Sequence, residues 1–358
     1  MSSVLYPTKQ NHPATRNSSL ELLRIAAMMM IIGHHIYRHG NFDFPADVLS
    51  VNKLWVQFLL STANIGNNIF VIISGYFLIK SSGVKWLKAF GLWVRAFFYA
   101  VSIYFLFVWA GMAEFDMKTA LRVMCPVTRP ANWFIATYFV MYLIHPYVNA
   151  MLHSFSREDY RKYLVSVFIF WSIIPMLTNS DFQGNPLISF ICLYSLGGYI
   201  RLWADSFGDR KYIMYGALSA LGNFFLMAVL EFAAMRIEPL RNFAAGHPLF
   251  VEYLFDMMRP LPVLSALFLF IGFKRVRINS RAINIAASAT LGVYLIHENE
   301  FVRENFLWQD IFRMPSFTDS PYLIPYSLAA IIIVYISCTL IDLLRSKIFR
   351  ALSRGRLS

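Results

Sequence analysis

The chain has 358 residues, of which 58% are hydrophobic in type and only 15% are charged, with a formal net charge of +12. So few charges cannot form the shell of a soluble globular domain, so lipid must be the main solvent. The basic residues sit in short clusters between apolar runs and not along one soluble face, which argues against a nucleic-acid-binding protein.

In chain order, residues 1–18 form a polar segment carrying Lys9 and Arg16. No small-residue cleavage site follows the first apolar run, which therefore reads as a permanent span. Apolar runs then recur, each long enough to cross a hydrocarbon core of roughly 30 Å at about 1.5 Å per residue. Hydropathy predicts helices near 19–37, 54–79, 87–110, 133–152, 163–179, 187–203, 212–234, 254–273, 284–305 and 322–344. The expected architecture is an all-α polytopic bundle of about ten transmembrane helices over 19–344, followed by a basic tail at 345–358. Segments 38–53, 111–132, 235–253 and 306–321 read as re-entrant or capping loops, and no repeat period is evident. Cys125, Cys192 and Cys338 lack any zinc or C-x-x-C spacing, so neither a metal site nor a disulfide is expected.

Short loops alternate between rich and poor in Lys and Arg. Lys80, Lys85 and Lys88, then Arg157, Arg161 and Lys162, then Arg201, Arg210 and Lys211, then Lys274, Arg275, Arg277 and Arg281 mark one side, with the basic tail. Glu298, Glu300, Glu304, Asp310 and Asp319 mark the other. The positive-inside rule then places both termini in the cytoplasm.

An ionisable side chain in hydrocarbon costs a few kcal/mol or more, so each needs a partner, a wet cavity or a function. Arg24, His34, His35, Arg95, Glu231, Arg259 and His297 fall in this class. Arg24 and His35 are eleven residues apart, which returns them to within about 20° of one helix face, about 16 Å apart along the axis. His34 points roughly 80° away. One face thus offers a cation below and a base above, a layout suited to an anionic cofactor entering from the cytoplasm. The alternative is that Arg24 snorkels to phosphates and His35 bonds a neighbouring helix.

In the second span Asn64, Asn67, Asn68, Ser74 and Gly75 interrupt the apolar run, as close helix approach and interhelical hydrogen bonds require. Arg95 lies about two turns inside its helix, deeper than snorkelling needs, where it can hold a phosphate. Asn132-Trp133 opens the fourth span as an interface anchor, with His145 and Pro146 deeper in it. Arg259 precedes Pro260 and Pro262, a pattern of broken backbone. Near the end of the ninth span, Glu298 or Glu300 is placed either to orient a histidine or to pair with Arg303.

These segments together resemble the acyltransferase-3 family of membrane O-acyltransferases. The most specific element is LLRIAAMMMIIGHH, with ten residues between Arg24 and His35; FVIISGYFLI at 70–79, NWFIATYFVMYLIHPYV at 132–148 and LGVYLIHENEFVR at 291–303 follow in order. The chain departs from the family's Arg-x-x-Arg near the third span. Aligning Arg95 with the second arginine puts Leu92 at the first, and Lys88, one turn earlier, offers a point charge without the guanidinium fork.

The resemblance implies transfer of an acyl group, most often acetyl, from cytoplasmic acyl-CoA to a glycan hydroxyl on the outer side of a bacterial cytoplasmic membrane. The ninth-span sequence is closest to members acting on exopolysaccharide, capsule or O-antigen. Acetyl-CoA would be a co-substrate, with no tightly bound cofactor. In that scheme His35 is the general base, an imidazole with an unperturbed pKa of about 6.5, or forms an acyl-histidine. Arg24, Lys88 and Arg95 bind CoA phosphates, and His297 assists at the acceptor end. Asn67, Asn68, Ser74 and Trp133 are oxyanion or acceptor candidates, with Glu298 beside them. A glycan transporter or flippase is the rival from another class, since it too wants buried polar residues and broken helices.

Overall fold

The computed structural model describes residues 17–45, 48–128, 133–178, 184–240, 242 and 254–354. Lys9, Arg16, Asn132 and Arg356 therefore lie outside the described residues. The described chain is all-α, with no strand, and eight of its helices are long and apolar enough to cross a membrane.

Helix α1 (Ser18–His39) starts where the Asn17 side chain accepts from the amides of Ser19 and Leu20, with Glu21 in the positively polarised first turn. Helix α2 (Val51–Leu78) is capped by Ser50, and α3 (Trp86–Trp109) leads to a short α4 (Met117–Val123) capped by Asp116. Then come α5 (Trp133–Ser154), α6 (Arg157–Thr178, with a π turn at Ile169–Ile173), α7 (Pro186–Trp203) and α8 (Lys211–Arg236). Helix α9 (Pro260–Lys274) is followed by the pair α10 (Arg281–Ser288) and α11 (Thr290–His297), a π segment (Val302–Ile311) and the long α12 (Leu323–Arg354).

Four expected spans differ: the fifth starts six residues early, at Arg157, and the tenth runs on to Arg354, ten residues into the expected tail. The eighth begins six residues late, because Pro260 and Pro262 suit a first helical turn, where no amide is needed, and not a helix interior. Its 15 residues reach only about 22 Å, short of a full hydrocarbon core. The ninth is not one helix over 284–305: it breaks at Ala289, between α10 and α11, and again after His297.

Helix α2 is the most buried of the spans, while α6 and α8 are the least. Small residues allow this central position. A methyl group on Gly66 would meet the Ala27 carbonyl of α1 at 2.6 Å, and one on Gly75 would overlap the Tyr194 carbonyl of α7. The close approach expected at Gly75 is therefore observed.

Chain direction alternates, which gives the bundle two chemically distinct ends. At the Arg24 end, Ser19 Oγ donates to Val276 O at 2.6 Å, and Tyr76 Oη donates to Asp205 at 2.6 Å. At the His35 end, Lys53 pairs with Glu231 at 2.9 Å and Trp55 Nε1 donates to Ser327 Oγ at 2.8 Å. Glu231, costly from sequence, thus has a cation facing it.

Candidate active site

Arg24, Met28 and Ile31 line a cavity of about 230 Å³. They form one helical stripe, and His35 is its next member. Thr290 and Tyr294 of α11 line the same cavity, and their stripe continues to His297. The two stripes converge: His35 Nδ1 and His297 Nε2 are 3.0 Å apart, on residues 262 positions apart in sequence. Phe70, Ser74, Leu92, Phe134 and Tyr138 close the remaining walls of the cavity.

Hydrogen-bond partners fix the direction of this pair. His297 Nδ1 lies 2.6 Å from Val293 O, which can only accept, so that nitrogen carries the hydrogen and Nε2 is the acceptor. His35 then donates from Nδ1 and keeps a lone pair on Nε2. Glu298 Oε2 lies 3.2 Å from that nitrogen, and His39 Nε2 lies 3.9 Å from the same oxygen. The first contact is not aligned as a hydrogen bond and the second is too long for one, so Glu298 Oε2 is a buried oxygen without a donor among the described residues. Its other oxygen is held by Arg303. His35, His297 and Glu298 are all buried.

Donor atoms of these three residues lie within 4.8 Å of one another, a spacing that also admits a metal ion. However, His35 turns opposite ring nitrogens toward His297 and Glu298. A proton relay uses both nitrogens, whereas one ion would use only one.

The remaining sequence candidates separate. Arg24 lines one end of the cavity, 29% exposed and paired with Glu21 at 3.1 Å. Lys88 is exposed at the start of α3. Arg95 does not line the cavity; its guanidinium is drawn to Asp342 on α12 and also donates to Ser288 O. Leu92, one turn away, takes the place on the wall. Ser74 is on the wall too, its hydroxyl donating to Phe70 O at 2.8 Å.

Asn67 and Asn68 do not reach this cavity. Asn67 donates to Asn64 at 3.3 Å, and Asn68 donates to Met257 O at 2.8 Å, tying α2 to the backbone that precedes α9. Trp133 faces a different hollow. His34 lies 3.2 Å from Leu60 O, off the stripe as helical geometry requires, and His145 lies 2.6 Å from Tyr142 O within its own helix.

Sequence reasoning missed His39 and Asp342. His39 is one helical turn beyond His35, a readable signal. Asp342 lies inside the last apolar run, where an unpaired carboxylate is as costly as any residue weighed above.

No curated protein and no solved structure matches this chain. A family model described as an acyltransferase domain, that of the acyltransferase-3 family, matches residues 17–341. The match contains both converging stripes and the helices around them, so the chain belongs to the acyltransferase-3 family and is a membrane acyltransferase.

Proposed function

We propose that the chain moves an acyl group, most often acetyl, from acyl-CoA at the Arg24 end to a hydroxyl of a cell-surface or lipid-linked glycan at the His35 end. The setting is a bacterial cytoplasmic membrane, and exopolysaccharide, capsule or O-antigen is the acceptor class. One observation carries this reading: a single cavity is lined from a cation at one end to the turn beneath two hydrogen-bonded histidines at the other. The rise from Arg24 to His35, about 16 Å, suits a pantetheine arm whose extended length is on the order of 15 to 20 Å.

In this mechanism Arg24, positioned by Glu21, receives a CoA phosphate by charge-assisted hydrogen bonds. Lys88, exposed at the same end, is a second point charge for phosphate. Arg95 acts indirectly, by fixing α3 against α12. The acceptor hydroxyl oxygen attacks the thioester carbonyl carbon while His35 Nε2 takes its proton. The imidazolium so formed is stabilised by the charge of Glu298 Oε2, 3.2 Å away, and His297 holds the ring from the other side. Collapse of the tetrahedral intermediate breaks the carbon–sulfur bond, and the proton passes from His35 to the leaving thiolate. Ser74 is the oxyanion candidate that shares the cavity wall.

The test uses purified protein in nanodiscs with acetyl-CoA and surface glycan from the source cells, the product being read as a mass gain of one acetyl group. His35→Ala is expected to lower transfer roughly 10²- to 10⁴-fold with an unchanged elution profile. Wild-type transfer by a folded His35→Ala protein would remove His35 as the base.

A further inference from the structure

Two more hollows are stacked along α6, α7 and α9. The one nearer the His35 end, about 420 Å³, is polar and aromatic, with Asn64, Trp133, Trp171, Asn185, Asp256 and Arg259 on its walls. The other, about 260 Å³, is walled by apolar side chains such as Leu164, Phe168, Leu193, Leu196 and Leu264. Met258 borders both. On each helix the apolar set begins about one turn from the polar set, so the two hollows lie end to end at Met258 and, taken together, make a slot with a polar head and an apolar tail. Val165, on the apolar wall, is 57% exposed, so the tail opens on the flank of the bundle that faces lipid.

Helix α6 is interrupted between the two levels by the π turn Ile169–Ile173, an irregularity that recurs at functional sites. Trp171 belongs to that turn and lines the polar hollow, and its indole N–H is buried with no acceptor among the described residues. A buried donor of this kind calls for a partner. Trp133 lines the polar hollow, while the next residue, Phe134, lines the cavity that rises from Arg24. Their rings lie edge-on, 5.7 Å apart. One aromatic pair thus joins the border of the slot to that of the donor cavity.

We infer that this slot is the acceptor site, and that its occupant is a membrane lipid bearing a sugar headgroup. A water-soluble glycan would leave the apolar tail unused. Asp256 and Arg259 bring both signs of charge to the head, which favours a neutral, hydroxyl-rich group over a purely anionic one. Tryptophan faces suit the apolar faces of a sugar ring, and both Trp133 and Trp171 border the head. Naming the headgroup an acceptor rests on the acyl-transfer reading above; occupancy of the slot by a glycolipid does not.

The test uses the full chain in nanodiscs with a glycolipid probe, a disaccharide on a long alkyl chain that carries a diazirine. After photolysis, labelled peptides are expected to contain Leu164–Phe168, Cys192–Leu196 and Val263–Leu267, with labelling displaced by the unlabelled probe. Filling the tail with Leu196→Trp, or more mildly with Leu267→Phe, is expected to reduce labelling, about tenfold for the tryptophan, without altering protection of the protein by acetyl-CoA in a thermal-shift assay. Labelling spread over other lipid-facing helices such as α8, or indifferent to both fillings, would overturn the inference. So would equal displacement by phosphatidylglycerol, which assigns the slot to bulk lipid. If acetyl-CoA gives no protection while displaceable labelling persists, acyl transfer fails and the glycolipid site stands.

Discussion

Two carboxylates buried between helices of this bundle are treated in opposite ways. Asp342 on α12 is saturated: Oδ1 accepts from Arg95 Nε at 3.1 Å, Tyr99 Oη at 2.8 Å and Arg345 Nε at 3.0 Å, while Oδ2 is taken by the remaining reach of Arg95. Glu298, at the other end, has one oxygen held by Arg303 and the other facing two imidazoles without a hydrogen bond. A fully matched buried charge serves as a brace between helices, since removing any member strands the others. A half-matched one leaves room for a proton to arrive. Arg95, expected at the cofactor, belongs to the brace, and Glu298 belongs to the chemistry only in the proposed mechanism.

That contrast can be broken by substitution. The largest effect is expected for Asp342→Ala, which leaves Arg95 and Arg345, each mostly covered, without their anion and costs about 3 kcal/mol of stability. A denaturation midpoint in detergent equal to that of the parent would show that the cluster is no brace. Glu298→Gln comes next: it keeps the volume but cannot neutralise an imidazolium, so transfer falls roughly 10²-fold, or about 2.7 kcal/mol, at an unchanged KM for acyl-CoA. Loss of folded protein instead of turnover would make Glu298 a brace like Asp342.

Asp205, outside the spans, is a third carboxylate with a weaker hold on its surroundings. Burial pushes its carboxyl up, but the Tyr76 hydroxyl, Arg201 and Lys274 outweigh burial and hold it below the ordinary carboxylate range. A depressed carboxyl stabilises the fold above the unfolded pKa of about 3.9 and loses that contribution as pH falls through the folded value. Its side chain is 48% exposed, so screening keeps the contribution small. Asp205→Asn is expected to lower the melting temperature slightly at neutral pH, with the two curves converging below about pH 4. A constant gap across that range would rule out the charge as the cause.

Much was legible in the sequence. Hydropathy located the long helices, and the period of the α-helix put Arg24 and His35 on one face with His34 off it, because both depend on neighbours along the chain. The order of motifs identified the family. Short-range breaks were less legible: Ala289 carries no turn signal, and the run 284–305 is apolar enough to pass for one helix.

By itself, then, the sequence determined an all-α membrane protein with a cation and a base aligned on its first helix. Tertiary structure decided the partners. It brought His297 to His35 from 262 residues away, chose Glu298 over Glu300, which pairs instead with Arg122, and drew Arg95 to Asp342 across 247 residues. It also left Leu92 on the cavity wall where an arginine was sought. The reason is physical. A helix face is set by local geometry, but the residue that meets it is set by which helices pack together, and in so apolar a chain hydropathy alone does not distinguish one packed face from another.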